Sequence, residues 1–338
     1  MDSVTAAQPV DVVSLTRTLV DIDSTTGREA EAGRWIAAYL RGLGFSVVEQ
    51  PVDGDRFNVV ASVGRPEVVF STHIDCVPPY FPSRIDGDCL YGRGACDAKG
   101  SLAAQVAAAD ALRRRGETRV GLLFVVGEER GSDGARAANE IADGCQFLVN
   151  GEPTDNRLGL ATRGVLRLKL RASGRAAHSA FPELGESAID KLLDALVELR
   201  AIELPADAVL GRTHYTVGLI AGGVAPNVVP PSAEAEVMFR TVGDAEAVRR
   251  AIQPIARHVA IEHVLEAPPV RMVDVPGFER AVFPYTTDIP FLARWGRPLL
   301  LGPGSIHVAH AAGEFVSIRE LNRAVEHYRT IAEHLLFG

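Results

Sequence analysis

The chain has 338 residues, of which 47% are hydrophobic and 23% charged, and its formal net charge is −8. That length suggests about two domains, and the balance excludes an intrinsically disordered chain. Net acidity without any Lys/Arg run argues against nucleic acid as a partner, and no stretch approaches the roughly 18–20 apolar residues that cross a bilayer.

The N-terminal MDSVTAAQPVDVV lacks a basic region and an apolar run, so no signal peptide is expected. Arg28–Leu43 places Ala32, Trp35, Ile36, Tyr39, Leu40 and Leu43 on one helical face, with Thr26 and Glu29 as a capping box. Short β-branched runs follow at 45–50, 58–63, 67–74, 120–126 and 146–151. Helical patterns at 101–115 and 133–142 separate the last three, which predicts central strands of a mostly parallel α/β sheet covered on both faces.

The pattern changes near residue 161. An alternating strand (163–174), a helix (185–201), strands at 213–223 and 232–242, a helix (244–259) and a strand (261–268) give β-α-β-β-α-β, the ferredoxin-like order. The expected domains are therefore 1–160 plus 272–338, with 161–271 inserted. The first pattern then resumes with RPLLLGPGS (297–305) and a long amphipathic helix (317–336) capped by Ser317 and Glu320.

Polar side chains gather where the apolar runs end. His73 and Asp75 close one strand, Asp97 sits in a glycine-rich turn, and Glu128 and Glu129 leave another strand. Glu152 follows QFLVNG, and His310 lies beyond LLLGPG. In open α/β sheets such strand ends form the ligand-binding edge. Taken singly, each has a plain alternative: a turn histidine, a helix N-terminal acid or a solvated loop. Together they make a dense acidic edge with no Lys/Arg run beside it, which a pair of divalent cations would neutralise. Mixed His and carboxylate donors suit Zn²⁺, with Mn²⁺ or Co²⁺ as substitutes. Cys76, Cys89, Cys96 and Cys145 lack C-x-x-C spacing and read as free thiols in a reducing cytoplasm. Sequence clustering of the first three leaves a thiolate zinc site as the alternative.

The segments H-I-D-C-V-P, G-R-G-A-C-D-A-K-G, G-E-E, G-E-P-T and G-P-G with A-H-x-x-x-E-F occur in this order. The chain thereby resembles the zinc metallopeptidase family of acetylornithine deacetylase, succinyl-diaminopimelate desuccinylase, aminoacylase and glutamate carboxypeptidase, along nearly its whole length. The resemblance implies a zinc-hydrolase catalytic domain with an inserted dimerisation or lid domain. It implies one zinc on His73, Asp97 and Glu152, a second on Asp97, Glu129 and His310, and Asp75 holding the other N–H of His73. Glu128 would be the general base acting on the metal-bound water.

Further roles are implied in the insert. His178 in GRAAHSAFP would stabilise the oxyanion in the partner subunit of a homodimer. Asn227, Arg240 and Arg163 would contact the substrate, and Gly302 and Gly304 would let backbone approach it. His307 competes with His310 as a ligand but falls outside the motif. The expected activity is hydrolysis of an N-acyl amino acid. The alternatives are a carboxypeptidase or dipeptidase acting on short peptides, and an inactive binding relative.

Overall fold

The computed structural model describes residues 8–338; residues 1–7, which include part of the stretch read as lacking a leader, lie outside the described residues. The chain divides into two compact units: 1–160 with 271–281 and 287–338, and 161–270 with 282–286.

The first unit is built on a six-stranded sheet in the order Ser46–Asp53, Arg56–Ser62, Val120–Val125, Val68–His73, Phe147–Asn150, Arg297–Leu300. The last four strands are mutually parallel and the first two pair antiparallel at one edge. Strands 68–73 and 120–125 are buried at every position. Their alternation explains why: Val68, Phe70, Leu122 and Phe124 enter one core, whereas Val69, Leu123 and Val125 enter another. The first core holds the helices Val12–Val20, Ala30–Gly42, Gly100–Arg114 and Ile318–Phe337, and the second holds Asp133–Glu140. No described helix is long and apolar enough to cross a membrane.

Two helix starts were expected from capping boxes, and one forms. The Ser317 hydroxyl accepts from the Glu320 N–H at 3.3 Å at the start of the last helix. Thr26 and Glu29 do not cap theirs. The Thr26 hydroxyl donates to Asp75 at 2.9 Å, and the fully buried Glu29 carboxylate binds the Arg56 guanidinium at 3.0 Å. The same carboxylate also accepts from the Gly27 N–H at 2.7 Å, so it serves the turn before the helix and the arginine together.

The second unit carries strands in the order His214–Gly222, Ser232–Thr241, Gly164–Ser173, Ala260–Ala267, all antiparallel. Leu166, Leu168, Leu170, Val237 and Phe239 point to one face and pack with Leu192, Leu199, Val248 and Ile252 of the helices Ala188–Ala201 and Ala245–Ile252. The opposite face is a ladder of charge: Lys169 meets Glu234 at 3.1 Å, and Arg171 meets Glu262 at 3.2 Å. The helix expected over 244–259 stops at Ile252 and continues as a 3-10 turn, Gln253–Arg257. Pro254 has no N–H to donate and its ring clashes with the preceding turn, so the α-helix ends there.

Candidate metal centre

Four parallel strands deliver their C-terminal ends to one edge, and the polar residues follow directly. His73 ends its strand, and Gly127 turns the chain after Val125 into a 3-10 turn holding Glu128 and Glu129. Gly127 is required there: its φ is +76°, and a Cβ would lie 1.8 Å from the Asp133 carboxylate. Glu152 follows strand 147–150, and His310 lies in the loop after strand 297–300. His310 itself adopts φ +61°, a left-handed conformation that costs a non-glycine residue of order 1–3 kcal/mol and persists where the surroundings fix it.

Two groups of donors result, His73 with Asp97 and Glu152, and Asp97 with Glu129 and His310, each with one donor atom per residue all within 4.8 Å of one another. His73 Nε2 lies 3.1 Å from Asp97 Oδ1 and 3.8 Å from Glu152. His310 Nε2 lies 3.0 Å from Glu129 and 3.3 Å from Asp97 Oδ2. The two Asp97 oxygens thus face different groups. His307 is exposed and joins neither, and no cysteine belongs to a donor group among the described residues. All four cysteines are free thiols.

The charges are poorly balanced within the protein alone. Burial pushes the Glu152 carboxyl up to about 8, against the pull of His73. Burial also lifts Glu128 well above the carboxylate range, and the charges of Asp288, Glu152 and Glu129 add to the lift. His73, although burial opposes its charge, is held well above the ordinary histidine range by Asp75, Asp97 and Glu152. His310 rises to about 10 between Asp97 and Glu129. Glu152 Oε1 is buried with no hydrogen-bond partner. Converging carboxylates, two imidazoles and an orphaned buried oxygen fit divalent cations, which supply the missing positive charge and the missing partner.

Asp75 faces His73 and also fixes a turn. The closest partner of His73 Nδ1 is the Asp75 backbone carbonyl, at 2.9 Å, whereas the carboxylate oxygen is 3.5 Å away. The Asp75 carboxylate also accepts from the backbone N–H groups of Glu128 (3.1 Å) and Glu129 (3.2 Å), besides the Thr26 hydroxyl. It fixes the turn that carries both glutamates. Gly302 and Gly304 are packed closely by the protein itself. A Cβ on Gly302 would meet the Glu152 carbonyl and Ser101 Oγ at 2.5 Å, and one on Gly304 would meet Cys96 Sγ at 2.5 Å. Their smallness admits neighbouring protein chain and seats the His310 loop against the Glu152 and Asp97 loops.

No sequence pattern marks Asp288. It is buried, its carboxyl is pushed up to about 7 by burial with the Ser132 hydroxyl pulling the other way, and its charge bears on Glu128. It follows no strand in the pattern, so only a buried acid beside Pro290 could have marked it.

His178 sits in a loop bridged to Val228, its ring accepting from the Ala180 N–H at 3.1 Å, and the Asn227 carbonyl accepts from the Ser179 N–H at 3.0 Å. Arg240 is half-buried opposite His214 across two paired strands, and burial lowers its pKa. Arg163 donates to the Leu210 carbonyl at 2.7 Å and approaches His214 Nδ1 at 2.5 Å, so its guanidinium is engaged inside the unit.

Comparisons with known proteins bear on this arrangement. The model for peptidase family M20/M25/M40 matches residues 69–334. A probable carboxypeptidase of Aspergillus clavatus is 39% identical, over 99% of this chain and 84% of that protein. Among solved structures, a tripeptidase from Staphylococcus aureus superposes with a TM-score of 0.81 at 20% identity, covering 95% of this chain and 96% of that one. A dinuclear metal-binding peptidase of the M20 family from Bacillus subtilis superposes with a TM-score of 0.72 at 17% identity, covering 96% and 97%. At such identities the superpositions speak for the fold, while the family match and the near full-length relative speak for descent: the chain belongs to peptidase family M20/M25/M40.

Proposed function

We propose that the protein is a two-zinc exopeptidase that hydrolyses short peptides, as a carboxypeptidase or dipeptidase. The carrying observation is the pair of donor groups sharing Asp97 in a chain whose near full-length relative is named a probable carboxypeptidase. Relatives named probable carboxypeptidases favour this reading over the N-acyl amino acid deacylase expected from the motifs. A non-catalytic relative is disfavoured because every donor and Glu128 are present.

His73, Asp97 and Glu152 would hold one ion, and Asp97, Glu129 and His310 the other. Ions bound there would polarise the scissile carbonyl and make water more acidic. Glu128 takes a proton from the attacking water as its oxygen bonds to the carbonyl carbon. It then passes that proton to the amide nitrogen as the C–N bond breaks. Asp75 keeps Glu128 in place through the backbone of its turn. Arg240 and Asn227 are proposed to receive the substrate's carboxylate end, a role that suits the forked guanidinium, and His178 to stabilise the oxyanion in the partner subunit of a homodimer.

The test is a panel of dipeptides, longer peptides and N-acetyl amino acids, assayed after loading with Zn²⁺ or Co²⁺. Release of amino acids from short peptides is expected, and turnover confined to the N-acetyl compounds would sink the peptidase reading in favour of the deacylase. The second unit also supports a homodimer: strand 214–222 is a free edge in its sheet, with Leu219 and Ile220 exposed by 62% and 59%. Light scattering should give twice the chain mass, and Ile220→Glu should shift it toward the monomer. The unpaired thiols favour a reducing cytoplasm.

A further inference from the structure

Arg93 and Glu314 form an ion pair that the reaction does not use. Arg93 Nη1 lies 2.7 Å from Glu314 Oε2, and the two side chains are 2% and 0% exposed. Arg93 also donates to the Pro79 carbonyl at 3.2 Å and stacks its guanidinium on the Phe81 ring. The second glutamate oxygen, Oε1, accepts from two successive backbone N–H groups, those of Cys96 and Asp97, each at 3.1 Å. Glu314 stands four residues after His310, and its own carbonyl accepts from the Gly92 N–H at 3.1 Å.

A buried ion pair is weak evidence for stability, because removing both charges from water offsets most of their attraction. What distinguishes this one is what it joins. One carboxylate grips the backbone of the residue whose two oxygens face both donor groups, and it belongs to the loop that carries the histidine of the second group. We propose that Glu314, held by Arg93, is a positioning residue for the metal centre: it sets the Asp97 backbone and the His310 loop in register, so that Asp97 can serve both positions and His310 can complete the second. The inference rests on the two-metal reading. Asp75 treats the Glu128–Glu129 turn in the same way, which makes two non-ligating carboxylates, each gripping a pair of adjacent N–H groups in a donor-bearing turn.

The test compares zinc binding by wild type, Glu314→Gln and the double variant Arg93→Met/Glu314→Leu, in full-length apo-protein, using equilibrium dialysis with elemental analysis. The double variant removes both charges together and leaves neither unpaired, and it deletes the acceptor for the Asp97 N–H. Its affinity at the weaker position is expected to fall by about 10- to 100-fold, the effect usual for partners lying behind metal ligands, with a smaller loss at the tighter position. Glu314→Gln keeps a side-chain oxygen in place and is expected to hold the second ion more tightly than the double variant. Thermal melting of the apo-proteins reports folding separately. Wild-type affinity at both positions in a folded double variant overturns the proposal. If the double variant does not fold, Glu314→Ala compared with Glu314→Gln decides: weakened second-site binding in Glu314→Ala with retention in Glu314→Gln supports positioning through the accepted N–H groups, and wild-type binding in both overturns it. Failure of wild type itself to bind two ions would instead remove the two-metal reading.

Discussion

Glu128→Gln is expected to reduce kcat by about 10²–10⁴-fold while metal content stays at the wild-type level. The amide matches the carboxylate in size and remains in the turn fixed by Gly127 and Asp75, so the fold and both donor groups persist. What is lost is the capacity to take a proton from water and return it to the leaving nitrogen. KM should change little, because the role proposed for Glu128 is on the reacting atoms and not in binding. Single-turnover kinetics with a dipeptide, alongside elemental analysis, separate the two quantities. A variant that kept wild-type kcat with two ions bound would show that another group moves the proton, and Asp288, the buried acid whose charge bears on Glu128, would be the first place to look.

The second large effect concerns Asp97. It is the one residue common to both donor groups, one oxygen 3.1 Å from His73 and the other 3.3 Å from His310. Binding of zinc to a complete protein site is worth about 10–16 kcal/mol, so one ligand in four carries roughly 2.5–4 kcal/mol, or about 10²–10³-fold in affinity. Asp97→Ala should therefore weaken both positions by that order, and His310→Ala only one. Dialysis against graded free zinc followed by elemental analysis distinguishes them: near-zero occupancy for Asp97→Ala and single occupancy for His310→Ala at the same concentration. Single occupancy for both would mean that Asp97 does not bridge.

The elements that alternate by simple rules could be read from the chain. Strands 68–73 and 120–125 are runs of β-branched and apolar residues because both of their faces are buried, and strand 164–173 alternates because one face is a core and the other a charge ladder. The donor residues were legible for a related reason: parallel strands place their ends at one edge, and His73, Glu128, Glu129 and Glu152 follow such ends directly. What the sequence concealed depends on partners distant in the chain. Thr26 and Glu29 match a local capping rule, but Asp75 and Arg56, brought in by other strands, claim them. The Asp75 carboxylate reaches past its neighbour His73 to a turn more than fifty residues away. Gly302 and Gly304 announced a close approach, and only the folded chain shows that the approaching groups are the protein's own, the Glu152 backbone and Ser101 hydroxyl at Gly302 and the Cys96 thiol at Gly304. Asp288 lies in an irregular segment, where no periodicity marks a buried acid.

The donor groups are unequal in when they are made. His73, Asp97 and Glu152 all precede the second unit, whereas His310 is synthesised after it. At about 5–20 residues per second, the ~160 residues between Glu152 and His310 occupy a ribosome for roughly 8–30 s. During that interval strand 147–150 has no partner on its outer side, because strand 297–300, which pairs there, has not yet emerged. A nascent chain can thus assemble one donor group but not the other. On the proposed two-ion reading, the centre is completed only near the end of synthesis, and a partly made chain would not yet carry it among neighbouring nascent peptides.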